Sequence, residues 1–190
     1  HELPEQYDQV VWVDADIIFT ENWYEKMAEL LTKYKVVQSY KTIDLSNGNV
    51  GSDVRESVTY IALENAKKPT ATTLSSNLDL SSKYASGFSW GVQRDVIEKF
   101  RIYDYWITGS CDSAFVIGIW GDWKNQFFDR LNPEMKQHYF EWAKPFHDYI
   151  DGSVSYLNVH VNHLWHGYRN YKKRWNCLKN LNPYNDLRIS

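Results

Sequence analysis

Gln9 is followed by four apolar residues, Val10-Val11-Trp12-Val13, and these run straight into Asp14-Ala15-Asp16. An apolar run without polar alternation predicts a strand covered on both faces, hence one inside a sheet. Its edges then need hydrogen-bond partners as well. Carboxylates leaving the carboxyl end of such a strand stand where open α/β sheets bind ligands. Two hard oxygen donors suit Mg²⁺ or Mn²⁺, and that cation can hold a diphosphate. A pair of turn aspartates capping the next helix would leave the same letters, so the pair alone does not decide.

The rest of the chain alternates strand and helix signals. Trp23, Met27, Leu30, Leu31 and Tyr34 recur at helical spacing and predict a helix over Glu21 to Tyr34. Val36 to Tyr40 reads as a second short strand. Leu45 to Asp53, rich in Gly, Asn and Ser, reads as a loop, Val54 to Ala66 as a helix and Lys67 to Ser82 as a long surface loop. Gly87 to Val92 is a Gly-punctuated strand, with helices expected over Arg94 to Phe100 and Asp112 to Trp120. Asn132-Pro133 is a capped helix start, and that helix should stop near Pro145. Val154 to Leu164 alternates imperfectly and predicts a strand, ended by Gly167 and followed by a basic, aromatic segment from Tyr168 to Leu178. The mixture predicts an α/β class and a single domain over residues 1–190.

Composition removes several functions. The net charge is −3, from 21 Lys and Arg against 24 Asp and Glu, so the basic surplus of a nucleic-acid-coating protein is missing. No apolar run approaches the roughly 20 residues of a membrane helix. Nine Trp, fourteen Tyr and eight Phe are too many for a disordered chain. Two cysteines, Cys111 and Cys177, exclude a disulfide framework while allowing one bridge, and no Asn-x-Ser/Thr acceptor occurs. A reducing cytoplasm is the expected compartment.

Three further constellations carry chemistry. His163-Leu164-Trp165-His166-Gly167 brings two imidazoles to one metal if the backbone turns there, which Gly167 favours; on a flat strand they would face opposite ways, and a histidine in an aromatic core is the plain alternative. Asp112 opens a helix after Thr108-Gly109-Ser110-Cys111, where it can serve as a base or simply stabilise the helix dipole. Arg169, Lys172, Lys173 and Arg174 can neutralise a diphosphate or form a solvated basic face.

In this order the motifs resemble those of GT-A-fold, metal-dependent glycosyltransferases, over Val10 to Arg174. Val10 to Phe19 resembles their Asp-x-Asp strand. Gly87-Phe88-Ser89-Trp90-Gly91-Val92-Gln93-Arg94 resembles their acceptor strand. Trp106 to Asp112 is similar to the Trp-Gly-Trp-Gly-Gly-Glu-Asp-Asp region of the inverting β-1,4-galactosyltransferases. His163-x-x-His166 is similar to their metal-binding segment, and bacterial and viral sugar transferases with a His-x-Trp-His-Gly ending look closer still.

The resemblance implies a Rossmann-like GT-A fold with a mixed sheet. It implies Mn²⁺ or Mg²⁺ held by Asp16, His163 and His166, with Asp14 at the nucleotide ribose or the metal's waters. A nucleotide-diphospho sugar, a UDP-sugar by preference, would be the donor, its diphosphate met by Asp14, Arg169, Lys172 and Arg174. Asp112 would be the base for a glycan or other hydroxyl acceptor bound by Gly87, Phe88, Trp90 and Trp106, and the reaction would invert the anomeric centre.

Three departures qualify this. The family's acidic run is reduced here to Asp112, and the acceptor strand carries Phe88 and Trp90 where the galactosyltransferases have small residues, so galactose transfer is not implied. Only thirteen residues precede Asp14, where the family has about half a nucleotide-binding unit, so the chain reads as the C-terminal two-thirds of such a domain. The native polypeptide is therefore expected to begin upstream of His1. The same ligands would also serve a metal-dependent hydrolase or nucleotidyltransferase, and a sugar- or protein-binding module could keep the fold without the chemistry.

Overall fold

A computed structural model of the chain describes residues 4–45, 53–64, 84–106, 110–164 and 182–184. Within them the architecture is mixed α/β, with two mixed sheets and five α-helices. The strands are β1 (Gln9–Val13), β2 (Ile17–Phe19), β3 (Val36–Gln38), β4 (Thr42–Asp44), β5 (Val54–Ser57), β6 (Tyr84–Ala85), β7 (Ser89–Gln93), β8 (Val154–Tyr156) and β9 (His160–His163). The helices are α1 (Tyr24–Leu31), α2 (Val58–Glu64), α3 (Arg94–Phe100), α4 (Cys111–Trp120) and α5 (Pro133–Ile150).

The first sheet has the order β1-β7-β3-β8, and the second the order β2-β9-β4-β5-β6. β7 runs antiparallel to both β1 and β3, with Trp12 opposite Trp90 and Val37 opposite Gly91. β8 joins β3 in parallel. Among the described residues β1 has one strand neighbour, and its five residues are half-buried rather than fully covered.

Four short crossings carry the chain from one sheet to the other, at residues 14–16, 39–41, 86–88 and 157–159, and a fifth passage, from β2 to β3, goes through α1. These crossings are hydrogen-bonded to one another or to the strands beside them. Asp14 N–H donates to Phe88 O at 2.8 Å, Ser39 N–H to Ser89 O at 3.2 Å, and Lys41 N–H to Val159 O at 2.9 Å. Asp14-Ala15-Asp16 is thus one strip of a seam between the two sheets.

Both faces of the first sheet are packed. On one, Val36, Trp90 and Val92 meet Phe115 of α4, Phe146 of α5 and Val58 of α2. On the other, Val37 joins Met27 and Leu31 of α1 in a cluster that also takes in Ile43 and Val161 of the second sheet. Gly91 is bare because α1 lies against it: a Cβ there would collide with the Met27 methyl and stand 3.1 Å from Leu31. In α4 every residue from Ala114 to Trp120 is buried, as expected of a helix apolar on all sides. It therefore runs through the interior and brings its first turn, with Asp112, out to the seam.

Several sequence expectations change. Val54 to Ser57 forms β5 instead of the first turn of a helix, because it pairs with β4, Glu56 opposite Thr42. Helix α5 does not stop at Pro145. An interior proline costs about 3 kcal/mol, but Phe146 and Ile150 beyond it are wholly buried, and that packing carries the helix to Ile150. Val154 to Leu164 is two strands in different sheets, joined by the crossing at 157–159. The expected loop over Lys67 to Ser82 and the final segment from Tyr168 to Leu178 lie outside the described residues, as does most of the loop over Leu45 to Asp53.

Candidate functional site

β1 ends at Val13, and the Asp14 N–H is used by Phe88 O, so the two aspartates leave the sheet at the seam. β9 arrives there from the other end of the chain. It pairs antiparallel with β2, Ile17 opposite His163, and Leu164 N–H donates to Asp16 O at 2.8 Å. This register sets the His163 Nε2 3.3 Å from Asp16 Oδ2. The two side chains are 14% and 26% exposed respectively, so solvent reaches both.

One carboxylate oxygen and one imidazole nitrogen at that separation fit two positions around a small divalent cation. Ligands at bonds of about 2.1 Å and right angles stand roughly 3 Å apart. Among the described residues no group of three such donors is found. His166, the third donor expected from the sequence, lies outside them, as do Arg169, Lys172 and Arg174.

Asp112 enters from the first turn of α4. The approach to Gly87 is close: a Cβ at position 87 would stand 2.5 Å from Asp112 Oδ2, so only glycine leaves room for the carboxyl there. Asp112 as a residue is exposed, yet protein atoms crowd around its carboxyl. That burial, and then the charge of Asp14, push its pKa from the ordinary 3.8 up to about 6. The two carboxyls therefore feel each other, and Asp14, Asp16, His163 and Asp112 gather at one seam although the sequence scatters them.

Two backbone outliers flank the same place. Phe88 has φ +77° and Ser110 has φ +71°. For a bulky aromatic this is a strained conformation, of the kind retained where function requires it. The half-buried Phe88 ring lies edge-on to His163, with centroids 5.2 Å apart.

Two acceptor-side expectations do not hold. Trp90 is 1% exposed and Trp106 is wholly buried. Trp90 packs on Phe115 and donates its indole N–H to Ser86 O, while Trp106 stacks on Tyr139 at 5.1 Å. Neither ring can meet a ligand, because an apolar indole gains more from these cores than from a wet surface. Of the four residues expected there, Gly87 and Phe88 remain at the seam, with Gly87 itself buried. Sequence reasoning passed over Gln38 and Tyr40, both wholly buried behind Gly87. Their signal was a polar pair closing an otherwise apolar strand.

The raised pKa gives a stability prediction. A folded-state pKa above the unfolded value favours the folded protein at low pH, and that contribution is lost as pH rises through 6. In metal-free buffer, Asp112→Asn should therefore melt above wild type at pH 7.5 and converge with it toward pH 4. Thermal denaturation across that range measures both. A variant that melts below wild type at pH 7.5 would contradict the electrostatic account of the carboxyl.

No family model, curated protein or solved structure matches this chain.

Proposed function

We propose that this protein is a glycosyltransferase of the GT-A type, moving a sugar from a nucleotide-diphospho donor to a hydroxyl acceptor with inversion. The observation that carries this reading is the meeting of Asp16 with His163 beside a second carboxyl pair, Asp14 and Asp112, one of which has the pKa of a working base. The order of the motifs along the chain agrees with it.

Asp16 and His163 would hold Mn²⁺ or Mg²⁺, with His166 as a further ligand and Asp14 at the nucleotide ribose. When bound, the cation would offset the charge that develops on the leaving diphosphate. Above pH 6 Asp112 is mainly ionised and ready to accept a proton. The acceptor oxygen bonds to the anomeric carbon, the sugar–phosphate bond breaks with its electron pair leaving on the diphosphate, and the acceptor proton passes to Asp112. One base and one displacement give inversion. Phe88, beside His163, would border the sugar, and Arg169, Lys172 and Arg174 would meet the diphosphate.

UDP-sugars are the donors to try first, with glycans as acceptors. The cytoplasm is the compartment proposed with this reading. Among the described residues, no helix is long and apolar enough to cross a membrane.

The test is incubation of the protein with UDP-glucose, UDP-galactose, UDP-N-acetylglucosamine or GDP-mannose, Mn²⁺ and a panel of saccharide acceptors. Proton NMR then reads the anomeric configuration of the product. Transfer to give a β-linked product from an α-linked donor is expected. Retention of configuration would remove Asp112 from its role, and no transfer with any pair would count against the reading.

A further inference from the structure

The turn between β6 and β7 is held in an unusual way. Four consecutive carbonyls, at positions 85–88, accept hydrogen bonds from three places: the end of β3, β7 itself and the strip after β1. Ala85 O takes the Gln38 Nε2 donor at 2.9 Å, Ser86 O the Trp90 indole at 2.9 Å, Gly87 O the Tyr40 hydroxyl at 2.9 Å and Phe88 O the Asp14 N–H at 2.8 Å. The regular ladders end here, because the chain leaves one sheet for the other and Phe88 is at positive φ.

Gln38 and Tyr40 form one chain of bonds within this clamp. Gln38 Oε1 accepts the Thr59 N–H of α2 at 3.1 Å, and Gln38 Nε2 donates to the Tyr40 hydroxyl at 3.0 Å as well as to Ala85 O. The Tyr40 proton is thereby directed to Gly87 O, the nearer of its two carbonyls, with Ala85 O at 3.2 Å. Both side chains are wholly buried and each polar atom has a partner, the condition under which a buried network fixes a single arrangement. Burial, with the charges of Asp112 and Asp14 acting in the same direction, keeps the Tyr40 hydroxyl protonated and a donor.

Gly87 is the residue whose Cα faces the Asp112 carboxyl. We infer that Tyr40 is a positioning residue: its hydroxyl holds Gly87 O and so fixes the wall against which the Asp112 carboxyl is set. This rests on the reading of Asp112 as the base. Tyr40 touches no substrate and acts only through the 86–88 crossing.

The test is a double-mutant cycle of Tyr40→Phe and Asp112→Asn. Tyr40→Phe removes one oxygen and keeps the ring. With release of UDP from the UDP-sugar that turns over, in Mn²⁺, Tyr40→Phe should lower kcat about tenfold, leave KM within about twofold, and add nothing in the Asp112→Asn background. Additive losses, or a loss confined to KM, would overturn the inference. If none of the UDP-sugars turns over, urea denaturation decides the inference by itself. The effect of Tyr40→Phe on the unfolding equilibrium should then differ at least about twofold between the wild-type and Asp112→Asn backgrounds, and equal effects would overturn it. Should Tyr40→Phe fail to fold, Gln38→Met enters the cycle with the same expected coupling.

Discussion

Asp112→Asn is expected to lower turnover about 10²-fold or more and to leave donor binding intact. The substitution keeps the shape of the side chain at the start of α4 and removes its ability to take a proton, and general-base loss has this scale. The wild-type pH profile supplies the companion result. Because the Asp112 pKa stands at about 6, kcat/KM measured on the free enzyme should fall on the acid side of that value, as the base becomes protonated. The Asn variant should lack that limb. Steady-state kinetics from pH 5 to pH 8, with donor affinity measured separately by calorimetry, reads both quantities. Unchanged turnover would move the base elsewhere. Asp104 is open to solvent beside Tyr105, whereas Asp122 is buried and accepts the Asn125 amide at 2.9 Å, so Asp104 would be tested first.

Asp16→Ala is expected to abolish Mn²⁺ binding. Loss of partners that merely orient a metal ligand costs 10–100-fold in affinity, so loss of a ligand itself should exceed roughly 100-fold and leave no measurable heat in a calorimetric titration. The fold should survive. The Asp16 side chain is partly exposed, and the bond that ties β9 to this strip uses its main-chain oxygen, which alanine retains. Circular dichroism and the melting midpoint check that point. Full Mn²⁺ binding by the variant would show that the contact between Asp16 and His163 is an ordinary surface ion pair.

The parts of this site that were legible in the sequence are those whose signal is local. An apolar run closing on two carboxylates predicts a strand end wherever it occurs, and β1 spans Gln9–Val13 as read. Helix α3 likewise follows its local pattern over Arg94–Phe100. What was not legible depends on partners distant along the chain. Nothing in Val54 to Ser57 announces a strand until β4 lies beside it. Pro145 reads as a stop until Phe146 and Ile150 are seen to be buried. Val154 to Leu164 reads as one strand because an imperfect alternation continues across the crossing, while the two halves belong to different sheets.

The site shows the same division. Asp14, Asp16, His163 and Asp112 stand out as residue types with chemistry. The resemblance implies Trp90 and Trp106 at the acceptor, but an exposed and a buried indole look alike in sequence, and burial puts both in the core. Tyr40 and Gln38 were invisible for the opposite reason. A buried polar pair has meaning only through the carbonyls it meets, and those belong to a turn more than forty residues further along the chain.

The central claim is that Asp14, Asp16, His163 and Asp112 form a donor site in which nucleotide and metal bind together. Thermal-shift measurement with UDP-sugars and Mn²⁺, each alone and then combined, tests it most directly, in the wild type and in Asp16→Ala. A rise in melting midpoint that needs both ligands and disappears in the variant is the predicted result. A full rise with Mn²⁺ alone would indicate a hydrolase-like site open to water. No rise under any condition would indicate a module that binds neither ligand, and either result would contradict the account.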